Sequence, residues 1–533
     1  MKKITNAVEK LHERNFKKYG LDMNIFVSVI SAMLVFTFIF ITVMFPESTA
    51  NSFDIAKTWV TTKFNLWFIM VLNTTLILLI FLTFTRYGKI IIGYPGDKPQ
   101  FSRFSWYAML FSAGIGIGIF FYGIAEPIYH LNIPKGLQSG NYDPLKVMFL
   151  HWGFHPWAIY SLVAIGIGYF SFNKGLPVTI RSLFYPVIKE KIYGIWGDII
   201  DTIAVLSVLF GLSTSLGLGA RQINAGFNSV FNLPISSNVQ IILIIIITFV
   251  ATLSVVSGIS KGIKLLSEIN IRLSAVLLFI ILIIGPTGFI LKDYIFAFTT
   301  YILEFFKIGT YVAKDTQDII WQSGWTIFYW AWWFSWSPFV GLFIARISRG
   351  RSIREIVLGV TIIPTIVITF VMTILGSSGL YLNEIKDGIM TEAINNDLAT
   401  SLFVMINNLT TNNFLITLLS LVALFAIILF FVTSSDSGSL VVDNLTSGGK
   451  LNSPKTQRVF WACMEGFIAA AVLVLGGSKA LNTLQSIIII TGLPFSIMIV
   501  TILISLVKQL REDYPVEQSL ITTKLKFQNK NTD

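Results

Sequence analysis

Charge is what this sequence has least of. Asp, Glu, Lys and Arg make up only 13% of the 533 residues, about half the roughly 25% that a water-facing domain carries. That excludes a soluble enzyme, a disordered chain and a nucleic-acid-binding domain. Cysteine is nearly missing: Cys463 stands alone and cannot close an internal disulfide. With four histidines besides, no Cys/His metal cluster is expected. There is no HExxH and no evident nucleophile–base pair, so a membrane-embedded enzyme has little to stand on. The first apolar run lacks a small-residue cleavage site, so no cleavable leader is expected.

Apolar residues fill the space that charge leaves, at 54% of the chain with 14% aromatics and a mean hydropathy of +0.73. The chain reads as an all-α membrane protein. A span needs about 20 mostly apolar residues, and twelve stretches qualify: 25–45, 66–85, 104–124, 146–172, 203–221, 239–257, 271–291, 321–345, 356–376, 414–435, 459–476 and 485–507. Residues 295–308 carry Glu304 and Lys307 and are expected as a helix at the surface. With the N-terminus inside, 29 of the 39 Lys and Arg fall on the inner side, which places both termini in the cytoplasm. The net charge of +11 then reflects cytoplasmic loops rather than a polyanion partner.

Several spans are irregular. In FSAGIGIGIFFYG, Gly114, Gly116 and Gly118 alternate at mid-span. Each costs a helix about 1 kcal/mol relative to alanine, so the stretch unwinds readily, and unwound backbone at membrane depth lines a cavity or packs against protein. Close helix packing through small residues is the plainer explanation. In WTIFYWAWWFSWSPF, Trp330, Trp332, Trp333 and Trp336 fall within seven residues, although the chain has 13 in 533. A headgroup belt is the usual place for tryptophan, but Trp333 lies at the centre of its span. Trp332 and Trp333 share a face with Trp336, and Pro338 is expected to interrupt the helix. In FLHWGFHPWAIYS, Trp152, Trp157 and Tyr160 line the outer half and middle, with Pro156 expected to break the helix. Core packing explains these three alone; beside the second cluster, an aromatic box explains them better.

FFVTSSDSGS offers the hydroxyls of Thr433, Ser434 and Ser435 and the carboxylate of Asp436. Such hydroxyls often bond back to their own helix, and beside a broken helix they also ligate sodium. FGLSTSLGLG occupies the corresponding place in the preceding half. Matching interruptions in spans 3–7 and 8–12 point to an inverted-repeat transporter with a midplane site. The expected layout is therefore a tail (1–24), two peripheral N-terminal helices (25–85), a first repeat (104–291), an external loop with the surface helix (292–320), a second repeat (321–507) and a tail (508–533).

A box of aromatic rings without an obligatory acid suits a quaternary ammonium, which has no N–H to donate but is attracted by ring faces at about 2 kcal/mol or more per desolvated contact. Backbone N–H groups over Gly114, Ile115, Gly116, Ile117 and Gly118 would meet an anionic tail. A betaine uses both halves.

On AGIGIGIFFYGIAEPIYH (113–130), HWGFHPWAIY (151–160), FYWAWWFSWSPFVGLFIARISRGRSIRE (328–355) and FFVTSSDSGS (430–439), the chain resembles the betaine/carnitine/choline transporter family over spans 3–12. The resemblance implies 12 transmembrane helices with a 5+5 inverted-repeat (LeuT-like) core, and a homotrimer in a bacterial plasma membrane. It implies that Trp152, Trp157, Tyr160 and Trp333 bind the ammonium group, with Trp332 and Trp336 as neighbouring pathway aromatics. It implies that Phe328 and Phe339 help occlude the site. It also implies a sodium shell of the Thr433 and Ser434 side chains with backbone carbonyls of Ser112, Ile115 and Phe430, and no other cofactor. Ile115 stands where the family often has Met. Asn270 stands where sodium-independent carnitine exchangers carry Arg, which sides this chain with sodium-coupled members. Val208 and Leu212 replace threonines of a second sodium site, with Ser213, Thr214 and Ser215 as nearby substitutes. Gly118 stands where choline importers tend to carry Asp, which favours a zwitterion such as glycine betaine. Choline or carnitine transport, proton-coupled or by exchange, remains the alternative, as does a non-transporting osmosensor. Glu126 is expected as a span-end capping group, and Glu126, Glu465 and Asp436 as the candidate carriers were protons used.

Overall fold

The computed structural model describes residues 2–94, 96–134, 137, 143–258, 262–476 and 480–514; of the expected C-terminal tail (508–533), residues 508–513 continue the last helix and 515–533 lie outside the described residues. Helices occupy every one of the twelve stretches. In chain order they are α1 (Ile25–Met44), α2 (Asn65–Phe84), α3 (Arg103–Gly114), α4 (Gly118–Tyr129), α5 (Pro144–Trp152), α6 (Phe154–Ile167), α7 (Ile195–Phe231), α8 (Ser237–Ser257), α9 (Lys264–Ile284), α10 (Thr287–Leu303), α11 (Phe328–Ile347), α12 (Ile363–Ile385), α13 (Asn413–Thr446), α14 (Lys455–Gly476) and α15 (Ala480–Asp513). Among the described residues eight helices are long and apolar enough to cross a membrane, nine if the bent pair α3–α4 counts as one.

The outer faces match a hydrocarbon solvent. On α8, Ile245 and Phe249 are 61% and 63% exposed, apolar surface that water would penalise and lipid does not. The inner faces bury α7 along α13, α11 against α6 and α15, and α8 against α14. Three helices outrun their apolar cores: α7 spans 37 residues and α13 and α15 span 34 each, because polar turns continue the helix beyond the 20 or so residues that hydrocarbon requires.

The expected proline breaks are corrected. The helix through residues 144–167 breaks at Gly153 (φ −85°, ψ −130°), not at Pro156. Pro156 sits in the first turn of α6, where its missing N–H is an orphan in any case. Pro338 lies inside α11, which runs on to Ile347; the irregularity there is a wide turn at Ser323–Ile327, ahead of the tryptophans. The polar segment 295–308 is helical to Leu303, turns at Glu304 and resumes as Phe305–Gly309. Its outer side chains Ile295 and Phe306 are exposed, and Lys146 donates to Glu304 at 2.7 Å.

The basic loop after α11 is folded onto the loop after α2. Gly350 donates to Ile92 O at 2.7 Å and Ile353 to Ile90 O at 2.8 Å. The Arg349 guanidinium, 2.7 Å from Asp97, holds that carboxyl below its usual range. Gly350 has φ +85°, and a Cβ there would run into the backbone of Lys98. Left-handed backbone of this kind costs a non-glycine residue roughly 1–3 kcal/mol. Gly350→Ala is therefore expected to lower the melting temperature of the purified protein by several degrees, whereas Gly288→Ala, with nothing within 4 Å of its Cβ, should leave it unchanged.

Candidate functional site

The site forms where the helix break between α3 and α4 meets the aromatic faces of α5, α6 and α11. The two halves of the broken helix are bent by 62°, and Gly116 between them has φ +58°, a conformation glycine adopts without strain. Each alternating glycine faces a different indole. A Cβ on Gly114 would lie 2.8 Å from the Trp157 ring, one on Gly116 2.9 Å from Trp336, and one on Gly118 2.5 Å from Trp152. No side chain fits at these distances, so the glycines let three tryptophans rest on bare backbone.

The aromatic residues expected in the box do come together. Trp152 meets Trp333 edge-to-face with centroids 5.0 Å apart, and Trp332 stacks on Trp333 at 5.1 Å. Tyr160 lies 6.5 Å from Trp333 and 5.6 Å from Trp157, both edge-to-face. Trp336 meets Trp332 at 5.9 Å and Phe339 at 5.8 Å. Phe328 packs on Trp332 at 5.5 Å. All are buried, and the rings touch one another, so a guest must part them. The indole N–H of Trp333 donates to His151 O at 2.9 Å, while Tyr160 Oη, Trp332 Nε1 and Trp336 Nε1 are buried without a protein partner. Orphaned polar atoms of this kind are costly unless a guest or water meets them.

The hydroxyls of α13 approach the same break. Ser434 Oγ would lie 3.3 Å from a Cβ on Gly116 and has no partner, nor has the buried Ser112 Oγ. Thr433 donates to Leu429 O at 2.8 Å, which leaves its oxygen lone pairs available to a cation. Ser112 and Ile115 lie at the end of α3, and Phe430, whose carbonyl accepts from Thr433 at 3.3 Å, lies one turn before Ser434 on α13. Oxygen-only ligands suit a hard cation such as sodium. Asn270 is buried. Leu212 fills the space beside Gly438. Thr214 and Ser215 bond back to their own helix at Phe210 O and Gly211 O.

One functional element was misread from the sequence. Glu126 is not a capping group; it is fully buried and its carboxylate is ringed by donors. Oε1 meets His151 Nδ1 at 2.6 Å and His130 Nε2 at 3.1 Å, and Oε2 accepts from Trp152 Nε1 at 2.7 Å and the Tyr329 hydroxyl at 2.6 Å. Two of the four histidines thus gather on one carboxylate, with ligand atoms within 4.8 Å of one another. The four contacts use the carboxylate's lone pairs, so the set holds aromatic side chains rather than offering open metal valences.

The model of the betaine/carnitine/choline family transporters matches residues 26–515. A glycine betaine/proline/choline transporter of Vibrio parahaemolyticus is 39% identical over 518 residues, covering 93% of this chain and 91% of its own. Glycine betaine transporter 1 of the same organism is 38% identical, covering 94% and 96%. A glycine betaine transporter of Acinetobacter baylyi is 39% identical, covering 94% and 75%.

The tryptophan–glycine contacts generate a direct test. Gly118→Ala is expected to lower the melting temperature of the purified protein by several degrees, since its Cβ would lie 2.5 Å from the Trp152 ring. Gly123→Ala should change it little, because its Cβ meets Leu375 alone, nearest at Cδ1, 3.2 Å away. Equal melting temperatures for both variants would remove the tryptophan contact as the reason for the glycine.

Proposed function

The chain belongs to the betaine/carnitine/choline transporter family, and from that premise we propose that it imports a quaternary-ammonium osmolyte, glycine betaine first, coupled to sodium by alternating access. It is a multi-pass membrane transporter and not an enzyme. The single observation that carries the substrate reading is the closed set of Trp152, Trp157, Tyr160 and Trp333 around a break of bare glycine backbone. The ring faces attract the ammonium, and the backbone N–H groups of Gly116, Ile117 and Gly118 receive the carboxylate; of the wider stretch first expected to do so, Gly114 lies within α3 and Ile115 already gives its N–H to Phe111 O at 3.1 Å. In this reading twelve helices cross the membrane, α1 and α2 flank a 5+5 inverted-repeat core, both termini are cytoplasmic, and the protein is a bacterial plasma-membrane homotrimer that serves under osmotic stress. Phe328 and Phe339 close the path on either side of the box, where each packs on a pathway tryptophan. Gly118 favours the zwitterion over choline, since it brings no carboxylate to replace the missing charge and a side chain there would displace Trp152.

Sodium is the proposed coupling ion, held by Thr433, Ser434 and the carbonyls of Ser112, Ile115 and Phe430, with no other cofactor. Support comes from the two orphaned hydroxyls, Ser112 and Ser434, at the helix break. One charge crossing 100 mV releases about 2.3 kcal/mol and a tenfold sodium gradient adds about 1.4 kcal/mol. One ion thus supports roughly 500-fold accumulation.

Two outcomes are expected. Trp333→Leu removes a ring worth about 2 kcal/mol to a desolvated cation, so KM for glycine betaine should rise roughly 30-fold or uptake vanish, with the protein still inserted; normal uptake would return the rings to structural packing. Ser434→Ala should raise the sodium concentration for half-maximal uptake severalfold. Wild-type uptake that is the same in potassium as in sodium would end the sodium assignment in favour of exchange or proton coupling.

A further inference from the structure

The carboxylate of Glu126 lies directly behind one wall of the box. Its oxygens take four contacts, and Trp152 Nε1 among them is a donor only. His151 meets Glu126 through Nδ1 and the Thr326 hydroxyl through Nε2, 3.1 Å away. His130 meets the carboxylate through Nε2, and its Nδ1 has no protein partner. Two imidazoles, an indole and a phenol thus surround the carboxylate. Among the described residues no Lys or Arg pairs with it. In a water-excluded interior a charge reaches further than at a surface. The groups between this anion and the box are the Trp152 ring, 5.0 Å from Trp333, and the Tyr329 ring, which stacks at 5.8 Å on Trp333.

We propose that Glu126 is a positioning residue that sets the box's preference for a positive charge, acting through Trp152. The hydrogen bond fixes the indole plane against Trp333. It also draws the N–H proton toward the carboxylate, which pushes electron density onto the ring face that meets the guest and strengthens its attraction for a cation. Glu126 thereby supplies a counter-charge without touching the substrate, so the ammonium meets rings rather than a competing acid. The inference rests on the quaternary-ammonium reading above.

The test compares two molecules of one shape. 3,3-Dimethylbutanoate is glycine betaine with its ammonium nitrogen replaced by carbon, so it keeps the bulk and the carboxylate and loses the positive charge. Each is measured as a competitor of radiolabelled glycine betaine uptake in proteoliposomes, and the ratio of their inhibition constants reads preference for charge alone. Wild type should favour the betaine strongly. Glu126→Gln should shrink that ratio by about tenfold, while Glu126→Asp, which keeps the charge, should hold it within about twofold at whatever rate remains. A purely structural role predicts that Glu126→Gln weakens both competitors equally and leaves the ratio unchanged, and that result overturns the proposal. If Glu126→Gln does not reach the membrane, Trp152→Phe reads the same contact from the other side, since it keeps a ring and loses the N–H; its ratio should shrink likewise, and an unchanged ratio overturns the proposal. A wild type that does not distinguish the two molecules overturns the quaternary-ammonium reading and this inference with it. A wild type that does, beside an unchanged Glu126→Gln ratio, overturns this inference alone.

Discussion

The arrangement depends on one steric fact: three indole rings lie where three Cβ atoms would be. Trp157, Trp336 and Trp152 rest on Gly114, Gly116 and Gly118, and that contact requires both the absence of side chains and the loss of regular helix between α3 and α4. A continuous helix would turn its alternating residues to different faces. Unwinding lets successive glycines present bare backbone to rings from α5, α6 and α11, and it frees carbonyls and N–H groups at membrane depth. Those polar groups are tolerable only if something meets them, which is why a broken span and a polar guest belong together.

The aromatic walls are held by hydrogen bonds made on the sides facing away from the box. Trp333 donates to the carbonyl of His151, and Trp152 to Glu126, so the residue that carries one wall is neighbour in sequence to the residue that anchors the other. The break at Gly153 follows immediately after this pair and lets α6 start afresh with Trp157 and Tyr160 on the inner side. Ring orientation thereby comes from the backbone course of one short segment, 151–160, rather than from packing spread over the bundle.

The sequence makes some of this legible and hides the rest for a physical reason. Tryptophan runs and alternating glycines are local patterns, visible in any ten-residue window, and the aromatic residues they predict do converge. The helix positions follow from apolar length, although α7, α13 and α15 run past it where polar turns stay helical. The break expected at Pro156 failed because the helix starts afresh after Gly153 and takes that proline into its first turn, whereas Pro338 is carried in the interior of a helix that continues to Ile347. Glu126 was misread because its partners, His151, Trp152 and Tyr329, are 25 to 203 residues away. Periodicity carries no information about hydrogen bonds between helices.

Gly116 is where the two proposed sites meet. The place a Cβ on Gly116 would take lies 2.9 Å from the Trp336 ring and 3.3 Å from the Ser434 hydroxyl, so both approach the same face of its backbone. A cation drawn to Ser434, Thr433 and the carbonyls of the break would pull on the same few peptide groups that carry the rings. Under the proposed sodium coupling, filling the ion shell would fix the backbone course at 115–117, and with it where Trp336 and, through it, Trp332 can sit. Conversely, a guest that parted the rings would shift the carbonyls offered to the ion. Coupling of this kind needs no long pathway through the protein, because both ligands bias one short unwound segment whose conformation only glycine permits.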